Sequence, residues 1–123
     1  MFAFKMKYNP SKEVDFSEEI QDVSTEELHY WRKHPNLHGW MEDLYRSKGG
    51  EGNDFNGDPV QLTEDDLHQL AACIIDEELP HTSGFFFGES YNNEDERADD
   101  LNFVKEALKA IEEGYTVYYD SWW

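Results

Sequence analysis

The chain has 123 residues, the size of one domain with a real core. Ten basic against 28 acidic residues give a formal net charge of −18 before any histidine is counted, a field that repels nucleic acid and anionic membrane and favours basic partners. Hydrophobic residues at 38%, with 15% aromatic, exclude a disordered acidic tail, because burying that much Trp, Tyr and Phe offsets the entropy of ordering the chain.

In chain order, Phe2, Phe4, Met6 and Tyr8 alternate with Ala3, Lys5 and Lys7, the period of a strand, and Asn9-Pro10 closes it. That alternation is unlike the continuous apolar stretch of a secretory signal. No run of about 18 apolar residues occurs elsewhere, so a soluble protein of the cytoplasm is expected. Residues 11–21 are acidic, with Phe16 and Ile20 four apart, and read as a short helix or a surface arm.

The stretch from Ser24 to Lys48 predicts two helical pieces meeting at Pro35. Ser24 and Glu27 have capping-box spacing, and Leu28 with Trp31 supplies an apolar face. Leu37, Trp40, Met41, Leu44 and Tyr45 then follow a core-facing helical stripe. Gly49-Gly50 to Asp58-Pro59 is a loop by its turn residues. A helix opens at Thr63, with Glu64, Asp65 and Asp66 in its first turn, and its stripe of Leu67, Leu70, Ala71, Ile74 and Leu79 ends at Pro80.

Ser83 to Gly88 contains three phenylalanines between glycines and reads as a buried strand or a core-plugging loop. A long helix is expected from Glu94 to Glu113, with Leu101, Val104, Leu108 and Ile111 inward and Gly114 as its stop. Tyr115 to Tyr119 is β-branched and aromatic, a final strand. The sum is an α+β domain over residues 1–123, with 1–23 as an N-terminal strand plus acidic arm. A small antiparallel or mixed sheet is covered by about three helices, with the first and last strands sharing the sheet.

No catalytic signature is present. Cys73 is the only cysteine, so no internal disulfide forms; on an apolar helical face it is a packed thiol. Ser83 and Ser90 lack an elbow context. His34 and His38 are four apart, but Pro35 lies between them and no HExxH arrangement exists, so no metal is expected. Asp54 to Asp58 fails as a calcium loop, because its sixth position would be Pro59 and its twelfth Asp65. No cofactor is implied.

Two patches remain. Trp31, Arg32 and Lys33, with His38 and Trp40, form a recognition patch or pocket wall around the Pro35 joint, since Trp and Arg dominate interfaces. Glu94, Asp95, Glu96, Asp99 and Asp100 gather carboxylates at a helix start, where the dipole stabilises them, and Asp95, Asp99 and Glu106 extend these as a ladder of negative charge. Such a ladder can occupy a basic groove in place of DNA, which carries one charge per roughly 1.7 Å.

The chain from about Thr25 onward resembles a family of small acidic proteins of tailed bacteriophages and prophages. The resemblance rests on Tyr30-Trp31-Arg32-Lys33, Asn36-Leu37-His38-Gly39-Trp40, Leu79-Pro80-His81-Thr82-Ser83-Gly84-Phe85-Phe86-Phe87-Gly88 and Tyr118-Tyr119-Asp120-Ser121-Trp122. Members are often labelled phosphoglycerate kinase. This chain is far too short for that two-domain enzyme and has no Gly-rich phosphate loop. His34-Pro35 and the longer arm before Ser24 depart from the family's pattern.

The resemblance implies a phage or mobile-element origin. With the charge, it favours a non-enzymatic accessory protein that binds a basic host protein, a nucleic-acid-binding complex included, in the bacterial cytoplasm. The narrower form is a DNA mimic that inhibits a defence complex, as anti-CRISPR and antirestriction proteins do. The alternatives are a small-molecule-binding protein or small enzyme using the Trp31–Trp40 hinge, and a homo-oligomeric regulatory protein with Trp122-Trp123 as its contact.

Overall fold

A computed structural model describes residues 1–32, 34–52, 54–80, 82 and 93–121. Four strands and three helices follow one another as β1 (Phe2–Met6), β2 (Thr25–Tyr30), α1 (Pro35–Ser47), β3 (Val60–Leu62), α2 (Glu64–Ile75), α3 (Glu94–Glu112) and β4 (Thr116–Asp120). The strands form one antiparallel sheet in the order β2-β1-β4-β3. β1 and β4 sit at its centre, with Phe2 opposite Asp120 and Met6 opposite Thr116. This is the small α+β architecture expected. The expected pairing of first and last strands is its axis.

The period-2 pattern of β1 sends its residues to two different layers. Ala3, with Val117 and Tyr119 of β4, faces the main core that all three helices supply: Leu37, Met41 and Tyr45 from α1, Leu67, Leu70 and Ile74 from α2, Phe103, Val104, Ala107 and Ala110 from α3. Each fully buried Leu or Met there contributes about 2 kcal/mol. On the opposite face, Met6, Phe16 and Tyr118 are buried together, with Phe4, Ile20 and Val23 packed around them. Residues 16–23 therefore fold back as a turn-rich cover of the second face, while Val14 belongs to the main core. Tyr8 lies beyond β1 and is exposed.

Four expectations change. Thr25–Tyr30 is a strand, not a helix. Its residues supply no 3.6-spaced apolar stripe, and they find a partner in β1 through the Phe2–Tyr30 ring contact at 5.2 Å and the Lys5–Glu26 ion pair at 3.4 Å. Pro35 does not join two helices; it is the first residue of α1, where a missing N–H costs nothing, and His34 is its N-cap. α2 ends at Ile75, five residues short of Pro80, with Glu77 at φ 58 beyond it. The inward face of α3 is Asp100, Phe103, Val104, Ala107 and Ala110, with Leu101, Leu108 and Ile111 only partly buried.

β3, three residues between Pro59 and the α2 cap, was not anticipated. Ser83–Gly88, Lys33 and the Trp122-Trp123 tail lie outside the described residues.

Local chemistry fixes the helix ends. Thr63 is the N-cap of α2 as expected, and with Asp66 it forms a capping box. Asn93 caps α3 by accepting from Glu96 N–H at 2.8 Å, and Gly114 at φ 94 ends α3. Gly39 is required on α1 because a Cβ there would collide with the Thr82 side chain, which crosses the helix while Thr82 N–H donates to Asn36 Oδ1. The Lys48 ammonium, at the end of α1, reaches Glu13 and Asp66, each at 2.5 Å, and the Gln61 carbonyl at 2.7 Å. One cation thus holds the arm, β3 and the start of α2 together.

Candidate functional site

The chain leaves β2 through Tyr30, Trp31 and Arg32 and enters α1 through His34, and the first two turns of α3 lie opposite. Asp100 joins the two sides. Trp31 Nε1–H donates to its Oδ1 at 3.0 Å, and His34 Nε2 lies 2.7 Å from its Oδ2. All three side chains are buried. Leu37 N–H donates to His34 Nδ1 at 3.4 Å, so the ring proton belongs on Nε2 and is given to Asp100. Both ring nitrogens are therefore engaged, and His34 has no free basic nitrogen to act as a general base.

His34 Nε2 and carboxylate oxygens of Glu96 and Asp100 lie within 4.8 Å of one another, a spacing that can surround a metal ion. Metal binding at Nε2 would move the proton to Nδ1, against the Leu37 N–H. The tautomer thus fits a hydrogen-bonded His–Asp pair, not a metal ligand.

Around this buried knot lies a cavity of about 590 Å³. Tyr30, Trp31, Arg32 and His34 form one wall and Asn93, Asp95, Glu96 and Asp99 the other. His29 hydrogen-bonds Asp99 at 2.9 Å and packs on Trp31 at 4.4 Å between ring centroids, while Trp31 meets Phe103 edge-on at 4.8 Å. A helix N-terminus ordinarily attracts anions. Here three carboxylates occupy that field against the one Arg32 guanidinium, so the net charge of the cavity disfavours phosphates and favours a cation against its aromatic wall.

The two patches read separately in the sequence thus meet: Trp31 and Arg32 face Asp95, Glu96 and Asp99 across one cavity. Asp100 leaves the acidic surface and becomes its buried support. Glu94, Asp95 and Asp99 are exposed, and Glu96 is half-buried. His38 and Trp40 take no part. His38 Nδ1 is hydrogen-bonded to the Tyr119 hydroxyl at 2.7 Å beside the Phe55 ring, and burial, with a smaller push from the Met1 ammonium, lowers its pKa to about 4. Trp40 packs against the main core. The hinge as a single pocket wall is therefore dissolved.

Asp100 was missed as a buried group, although it heads the stripe it shares with Phe103, Val104 and Ala107 at i, i+3, i+4 and i+7. His34 as a cap was legible from its place before Pro35. Among the described residues no helix is long and apolar enough to cross a membrane. Comparison of the chain with protein-family models, curated proteins and solved structures finds no match.

Proposed function

We propose that this is an acidic accessory protein of phage or mobile-element origin that binds a basic host protein in the bacterial cytoplasm, in its narrower form a DNA mimic directed at a nucleic-acid-binding defence complex. The observation that carries this reading is how the charges are distributed. Lys5, Arg46, Lys48 and Arg97 are tied to Glu26, Glu42, Glu13 with Asp66, and Glu77 of their own chain, and Lys7 donates to the Glu113 carbonyl. These cations are engaged internally. Glu27, Glu64, Asp65, Asp76, Glu78, Glu94, Asp95, Asp99 and Glu106 stand exposed on several elements. A surface of that kind attracts a basic partner at long range and weakens with salt.

Within α3 the ladder Asp95, Asp99, Glu106 is exposed as its spacing requires, although Lys105 and Lys109 share the exposed side of the helix. The acidic surface as a whole supports the reading better than that ladder alone. The test is capture from host lysate on the immobilised protein at low and high salt, with duplex DNA as competitor. Recovery of one nucleic-acid-binding complex, released by salt and displaced by DNA, is the expected result. Capture that is indifferent to both, or no basic partner, removes the proposal.

A further inference from the structure

The two outer strands of the sheet end differently. β3 is closed: Val14 bridges to Val60, and Gln61 N–H donates to the Glu13 carbonyl at 2.8 Å. β2 pairs with β1 on one side, and among the described residues no main-chain hydrogen bond reaches it from the other. Thr25, Glu26, Glu27 and Tyr30 are exposed along it. Six residues of open strand are about 20 Å of unpaired main chain, a template for another strand.

The charge on that edge selects its occupant. A second copy of the chain pairing antiparallel across β2 would gather four glutamates, Glu26 and Glu27 of each copy, along one seam, and like charges close across strands oppose pairing. A lysine- or arginine-bearing segment meets no such opposition. The edge also leads directly into the cavity beyond Tyr30, where Trp31 supplies an aromatic wall and the carboxylates of Asp95, Glu96 and Asp99 outnumber the single Arg32 guanidinium.

We propose that β2 is a docking edge for an extended basic segment of the partner, which adds as a fifth strand and seats one terminal cationic side chain in that cavity. This rests on the acidic-accessory reading and specifies how the partner is held. Main-chain hydrogen bonds give affinity in such strand addition, and side-chain sockets give selectivity.

The probe is a nine-residue peptide alternating Lys with Val and ending in Arg, compared with the same peptide N-methylated at alternate amides, which keeps the charge and loses ladder donors. Binding to the whole protein is followed by amide shifts and hydrogen exchange. The unmodified peptide should protect amides within Thr25–Tyr30 and bind at least tenfold more tightly than the methylated one. E26Q/E27Q should weaken it severalfold, and norleucine in place of the terminal Arg should do the same through loss of the cavity contact.

Equal affinity of the two peptides, or shifts confined to α2 and α3, overturns strand addition while leaving salt- and DNA-sensitive lysate capture intact. Amide protection along β2 that rises with protein concentration without peptide overturns it in favour of a second copy. Loss of lysate capture alone would instead remove the broader reading.

Discussion

His34 and His38 are one helical turn apart at the start of α1, and both are buried, yet they lie in opposite surroundings. His34 turns toward α3, where Asp100 accepts its proton and Glu96 lies 3.7 Å away. His38 turns toward β4, between the Tyr119 hydroxyl and the Phe55 ring, where burial holds it neutral. The same residue on the same helix therefore serves as the donor of a buried polar knot in one place and as a neutral core filler in the other. What differs is the element each ring meets, not the local sequence.

The largest expected effect comes from removing the carboxylate to which His34 and Trp31 both donate. Asp100→Ala leaves the Trp31 and His34 N–H groups buried without an acceptor and should cost about 4 kcal/mol in urea unfolding, whereas Asp100→Asn keeps an acceptor and should cost roughly half as much.

The His38 side is read by pH. Its pKa falls from 6.5 unfolded to about 4 folded, so the folded state disfavours the protonated ring. The stabilisation is complete above pH 6.5 and is lost as pH falls toward 4, to a limit of about 3 kcal/mol. The stability difference between the native protein and His38→Gln should shrink along that window. A pH-independent difference would mean that the ring is not held neutral.

Asp120 tests the opposite sign. Burial, helped by Asp58 and opposed by the Ser121 N–H and the Met1 ammonium, raises its pKa to about 6. The folded state then binds a proton that the unfolded chain releases from about pH 4, so stability falls as pH rises from 4 to 6. Asp120→Asn should match the native protein below pH 4 and exceed it by about 2 kcal/mol above pH 6, a figure discounted for partial exposure. The smallest effect belongs to Tyr119→Phe, which removes the hydroxyl that His38 and Ser121 share and should cost about 1 kcal/mol.

The fold was legible where its signals were local. Thr63 and Asp66 sit beside the helix they cap, and the stripe Leu37, Met41, Tyr45 lies within one element. Ser24 and Glu27 carry the same capping pattern and misled, because the residues after them offer no helical stripe, and their partner strand β1 lies at a distance no local motif encodes. Both acidic and aromatic patches were visible, but their meeting was not. Asp100 finds Trp31 and His34 across sequence separations of 69 and 66 residues. The free edge of β2 and the closed edge of β3 depend on strand order, which periodicity does not carry.

The central pairing of β1 with β4 sets the pace of folding. Helices α1, α2 and α3 can form from near neighbours, but the middle of the sheet waits until Phe2 finds Asp120 and Met6 finds Thr116. Closing so long a loop is entropically costly before any contact rewards it, and chains dominated by such pairings fold slowly. On the ribosome, β1 must remain unpaired with β4 through the synthesis of everything between them. Until then Phe4 and Met6 lack the Tyr118 ring beside which they pack, and the acidic arm that follows β1 is the nearest solubilising segment.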